Sequence, residues 1–223
     1  MKHELLYKPV FAAARVMLDP GDAIRAESGA MVSMSPTITI ESKATGGLGK
    51  ALGRLLGGES FFQTTFTATH GPGEVILAPS ALGDIIQLDV TGNGWMVTSG
   101  CYLASDIGIQ TETKMSGKAF FGGEGMFLLR ASGAGQMLVA SFGAIHAVQL
   151  MPGQQYVVDT GHIVAFNETM NYQVRTAAKG LMSSLTSGEG FVAEFMGPGI
   201  LYLQTRAPQA FGPWISQFVP RSS

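Results

Sequence analysis

Three glutamates at one spacing constrain this chain more than any other feature. Glu59, Glu124 and Glu189 stand 65 residues apart. Each belongs to a Gly-Glu pair that opens an apolar segment: Gly58-Glu59-Ser60-Phe61-Phe62, Gly123-Glu124-Gly125-Met126-Phe127 and Gly188-Glu189-Gly190-Phe191-Val192. A fixed period of this length is the signature of a repeated supersecondary unit. A unit of about 60 residues buries too little surface to stand alone, so three fused copies must share an interior. The boundaries predicted from this period are 1–80, 81–143 and 144–207, within a single globular unit of 223 residues, followed by a tail over 208–223.

Turn chemistry and offsets support the repeat. Pro20-Gly21 and Pro152-Gly153 suit the two central positions of a type II turn, and Asn93-Gly94 is a tight-hairpin signal in the middle copy. A hydroxyl-glycine pair then recurs as Ser28-Gly29, Ser99-Gly100 and Thr160-Gly161. Counting from each glycine, the third residue is apolar (Val32, Leu103, Val164), the ninth is apolar (Ile38, Ile109, Met170) and the fourteenth is basic (Lys43, Lys114, Arg175). The period-two alternation over 37–41 and 170–174 marks strands with one buried face. Residues 1–17 read as an opening strand, and the apolar run Met137 to Met151 reads as two strands and a bend, too short and too interrupted to span a bilayer. The tail, with Pro208, Pro213 and Trp214, is expected along the surface or against a neighbouring subunit.

Composition agrees with an all-β chain: 30 glycines, 46% hydrophobic residues and only 13% charged. A surface this poor in charge favours self-association. The net charge of −2 excludes a general polyanion binder. A single cysteine, Cys101, excludes an intrachain disulfide and a thiolate metal cluster, and fits a reducing, cytoplasmic setting. The opening residues Met1-Lys2-His3-Glu4 carry neither an apolar stretch nor a cleavage pattern, so no signal peptide is expected.

Taken together, Ser28-Gly29-Ala30-Met31, the Gly-Glu motifs, Val158-Asp159-Thr160-Gly161-His162, Gly197-Pro198-Gly199 and Leu203-Gln204-Thr205-Arg206 resemble a bacterial and archaeal family of unknown function. That family is related to the fungal altered-inheritance-of-mitochondria protein twenty-four. The resemblance covers essentially the whole chain. It implies three tandem antiparallel β-sandwich repeats, similar to the tryptophan RNA-binding attenuation protein, with pseudo-threefold symmetry and a tendency to form oligomers. It implies no enzymatic activity, and the fungal relative is linked to organisation of the mitochondrial inner membrane.

No chemical motif competes with this reading. Gly49-Lys50 lacks the upstream glycine and the following hydroxyl of a phosphate loop. Ser60 lacks the second glycine of a nucleophile elbow. His70, His146 and His162 occur in different contexts, and the positions matching His162 are Ala30 and Cys101, which share no acid-base or ligand role. Lys43, Lys50 and Arg54 are flanked by Glu41 and Glu59, so they do not form the basic stripe that RNA requires, and nucleic acid is not expected as a partner. The charged positions are read as salt bridges at the base of each connector: Lys43 with Glu59, Lys114 with Glu124 and Arg175 with Glu189.

The connectors are read as short amphipathic helices. Leu48, Leu52, Leu55 and Leu56 in the first copy, Phe120 and Phe121 in the second, and Leu181, Met182 and Leu185 in the third form a candidate contact surface. The expected function is a non-enzymatic oligomeric scaffold or binding module that self-associates through these connectors and needs no cofactor or metal. The alternative is a peripheral membrane protein, or one that binds a lipid or small ligand.

Overall fold

The computed structural model describes residues 1–43, 63–116, 126–177 and 190–219. These form an antiparallel all-β protein with one α-helix among the described residues. The first six-strand run is β2 (Ala13–Leu18), β3 (Ala23–Glu27), β4 (Met31–Met34), β5 (Ile38–Lys43), β6 (Gln63–Ala68) and β7 (Gly73–Leu77). The second is β8 (Ile85–Val90), β9 (Trp95–Thr98), β10 (Tyr102–Asp106), β11 (Ile109–Ser116), β12 (Met126–Gly133) and β13 (Gly135–Ala140). The third is β14 (Ile145–Leu150), β15 (Gln155–Asp159), β16 (Ile163–Asn167), β17 (Asn171–Thr176), β18 (Phe191–Met196) and β19 (Gly199–Gln204).

Within every run the pairing is the same. The last strand pairs with the first and third, and the fifth pairs with the second and fourth. Each third strand even carries the same irregularity, at Met31/Ser33, Tyr102/Ala104 and Ile163/Ala165. Two seams then join consecutive runs: β3 pairs with β10, and β9 with β16. The result is four sheets, ordered β1-β2-β7-β4, β5-β6-β3-β10-β13-β8, β11-β12-β9-β16-β19-β14 and β15-β18-β17, where β1 is Lys2–Leu6.

Three hydrophobic cores lie between successive sheets. The first packs Val16, Leu77 and Phe66, the second Trp95, Tyr102 and Met137, and the third Phe166, Phe195 and Leu201. The six-stranded sheets are covered on both faces. In β13, Leu138 enters the first core while Met137 and Val139 enter the second, which is why this strand reads as a continuous apolar run.

Turn chemistry follows the sequence at both Pro-Gly sites. Gly21 and Gly153 adopt φ of 89° and 78°, and the amides of Asp22 and Gln154 close on the carbonyls of Asp19 and Met151 at 2.9 and 3.0 Å. The middle run differs from expectation. Gly92, not the Asn93-Gly94 pair, takes the left-handed conformation, at φ 72° between the bridged residues Thr91 and Asn93. Gly94 has a packing role instead, because a Cβ there would stand 2.5 Å from the Ala131 carbonyl oxygen.

Two further departures concern the termini. The predicted opening strand is a hairpin: β1 pairs antiparallel with β2, and the connection between them leaves Tyr7, Val10 and Phe11 exposed. The tail forms helix α1 (Pro208–Ser216) with proline at its start, where the missing amide costs nothing. Its Phe211 stacks edge-on against Phe142 at 5.2 Å, while Trp214, Phe218 and Val219 remain exposed. The helical connectors expected from sequence lie outside the described residues.

Candidate functional site

The basic residues chosen from sequence occupy matching places. Lys43, Lys114 and Arg175 stand opposite Gln63, Leu128 and Val192, the same register position in each run. Lys114 meets Glu112 at 2.9 Å, a hydrogen bond that holds the Glu112 carboxyl below its ordinary range. The Arg175 guanidinium meets Glu194 across the strand pair at 3.2 Å. The partners named from sequence, Glu59, Glu124 and Glu189, lie outside the described residues. So do Leu48, Leu52, Leu55, Leu56, Phe120, Phe121, Leu181, Met182 and Leu185. Sequence reasoning missed the ion pairs Arg15–Glu74, at 2.6 Å, and Arg130–Glu168, because their members are distant in the chain and follow no shared offset.

Cys101, Tyr102 and His162 are engaged in structure, whereas His70 and His146 lie exposed, in a turn and on a strand respectively. Cys101 is buried, and burial pushes its thiol up to about 12, so it stays protonated and unreactive near neutrality. The neighbouring Tyr102 phenol is pushed up to about 12 for the same reason, and its hydroxyl donates to the Arg25 carbonyl at 3.2 Å and lies 2.9 Å from Ser105 Oγ. His162 Nδ1 lies 2.7 Å from the Gln204 carbonyl oxygen. The Gln204 side chain in turn accepts from the Phe142 amide at 2.8 Å and donates to the Gly161 carbonyl at 2.8 Å, tying the end of β19 to the segment before β14 and to the turn between β15 and β16. Among the described residues, no group of three His, Cys, Asp or Glu side chains is placed to hold a metal ion, and no helix is long and apolar enough to cross a membrane.

The unusual feature of the surface is a pair of sheet edges. Two of the three second strands and two of the three third strands are consumed by the seams β3–β10 and β9–β16. The remaining pair, β4 and β15, ends two different sheets, each with one side unpaired among the described residues. Burial follows the pairing. The apolar residue found by its offset from the hydroxyl-glycine pair is 0% exposed at Leu103 and Val164 but 62% exposed at Val32. Likewise Met96, in the second strand of its run, is 8% exposed, whereas its counterpart Val157 in β15 is 49% exposed. Natural sheets blunt free edges with charge, proline or cover, because unpaired N–H and C=O groups template pairing with another chain. The strand β4, Met31-Val32-Ser33-Met34, carries no charge or proline.

Comparison with known proteins places this architecture. A crystal structure of a Streptococcus pyogenes protein superposes with a TM-score of 0.84 at 28% identity, covering 98% of this chain and 99% of that one. An uncharacterized protein from Streptococcus pyogenes serotype M6 is 32% identical over 96% of this chain and 89% of its own length. The family described as Mitochondrial biogenesis AIM24 matches residues 3–206. With nearly every strand inside that match, the chain belongs to the AIM24 family.

Proposed function

We propose that this chain is a non-enzymatic, self-associating scaffold or binding module. The observation that carries the reading is the pair of edges with exposed apolar residues: Met31, Val32 and Tyr156 are exposed at positions whose counterparts in both joined seams are buried, and Val157 is exposed where its counterpart Met96 is buried. Association removes that surface from water and pairs the free backbone groups, both favourable. The unreactive setting of Cys101 and the structural engagement of His162 support a role without catalysis. The connector residues from Leu48 to Leu56, with Phe120, Phe121, Leu181, Met182 and Leu185, offer a second apolar contact surface by their sequence pattern.

Light scattering on the eluting chain over a dilution series tests the proposal. The expected mass at micromolar concentration is a multiple of 23.5 kDa, falling on dilution. A species of 23.5 kDa at every concentration overturns the reading. If such a monomer sediments with anionic liposomes, peripheral membrane binding takes its place. The exposed Trp214, Phe218 and Val219 on and after helix α1 are the residues that favour that alternative.

A further inference from the structure

We infer that β4 of one copy pairs antiparallel with β15 of a second copy, in the register Ser33 opposite Val158 and Met34 opposite Val157. The inference rests on the self-association reading and adds which surfaces meet and how.

The register comes from the two seams already formed. In the first, Ala26 opposes Ala104 and Arg25 opposes Ser105. In the second, Val97 opposes Ala165 and Met96 opposes Phe166. The third strands of the runs align through their shared partner: Ser33, Ala104 and Ala165 face Ile76, Leu138 and Tyr202. The second strands align through theirs: Ala26, Val97 and Val158 face Thr64, Leu129 and Ala193. Ser33 and Val158 are therefore the pair that completes the series, with Met34 and Val157 next to them.

A second copy is the occupant because the two edges terminate separate sheets of one chain, β1-β2-β7-β4 and β15-β18-β17, with no strand pairing between them among the described residues. Joining these sheets across copies gives a seven-stranded sheet whose middle repeats the construction of both internal six-stranded sheets. It covers Met31, Val32, Tyr156 and Val157, and no other molecule is needed to complement either edge. The contact is head to tail, so it closes only if each copy supplies both edges. The smallest closed assembly is a twofold dimer with two such seams.

Cysteine cross-linking reads this register directly, since directly opposed residues of an antiparallel pair fall within disulfide reach and the native thiol, Cys101, is buried. Ser33→Cys and Val158→Cys chains are prepared separately, mixed and oxidised with diamide. Met34→Cys with Val157→Cys forms an independent second pair, should one substitution impair folding. The expected result is a band at twice the chain mass on non-reducing gels, seen in either mixture and absent when each single variant is oxidised alone. Three results overturn the inference: a disulfide at monomer mass in the Ser33→Cys, Val158→Cys double variant, cross-linking of like with like, or no cross-link in either mixture. Light scattering on the same samples separates the two levels. A chain that associates without these cross-links loses only the edge assignment, while a monomer loses the self-association reading as well.

Discussion

Phe166→Ala is expected to lower stability by about 3–5 kcal/mol, the range for emptying the site of a fully buried phenylalanine. Phe166 is fully buried in the third core, with Tyr172 and Phe195 edge-on to it at ring-centroid distances of 5.0 and 4.9 Å. It lies on β16, which is held on one side by β9 and on the other by β19, so the surrounding backbone has little freedom to collapse into the vacated space. Denaturant unfolding followed by tryptophan fluorescence measures the loss. Phe166→Leu should retain much of the stability, because it keeps apolar volume while losing only the edge-on ring contacts. A cost for Phe166→Ala under about 1 kcal/mol, the size of a typical surface change, would mean that the third core is not packed around this ring.

Gly83→Ala is expected to be comparably severe for a different reason. Gly83 lies between the first and second runs and forms a parallel bridge with Gly143, the matching position between the second and third. A Cβ at Gly83 would overlap the Ser141 carbonyl oxygen and approach the Gly143 carbonyl oxygen to 2.7 Å. Neither obstacle is the end of a flexible side chain. The backbone must separate, with the Ala12 amide to Gly83 carbonyl hydrogen bond of 3.0 Å and the Gly143 amide to Leu82 carbonyl bond of 2.8 Å at risk. A loss of about 3 kcal/mol or more places the change in the severe class, and a chain of this size then melts roughly 6–12 °C lower. Gly153→Ala is the control. Its φ of 78° disfavours a side chain, but nothing lies within 4 Å of the added carbon, so only a local backbone cost of about 1 kcal/mol applies. Equal melting temperatures for the two variants would show that the contact between runs is not close-packed.

Much of the strand plan was legible because it depends on local chemistry. The Pro-Gly turns, the apolar ninth position at Ile38, Ile109 and Met170, and the basic fourteenth position all describe residues whose environment is set by the run to which they belong. Val32 marks where this reasoning stops. Its offset equates it with Leu103 and Val164, and its immediate pairing through β7 matches theirs, yet it is exposed because burial there depends on a strand from another run. No local pattern shows which run lacks a neighbour. The hairpin β1–β2 was hidden for a related reason: β1 has no counterpart in the other two runs, so a pattern shared by all three could not announce it. Helix α1 was obscured by Pro208 and Pro213, which argue for irregular structure until the first proline is seen to begin the helix. At Asn93-Gly94 the strongest local turn signal lost to packing, since Gly94 is needed where the chain passes the Ala131 carbonyl.

In the proposed assembly β4 and β15 are the two halves of a third seam, formed between copies. Amide hydrogen exchange at high and low protein concentration tests it most directly. Within β4 and β15, the backbone amides that point away from β7 and β18 should exchange quickly in dilute solution and become protected as concentration rises, while those bonded to β7 and β18, and those at the internal seams, Ala26 with Ala104 and Met96 with Phe166, remain protected throughout. Rapid exchange along both edges at every concentration would contradict it.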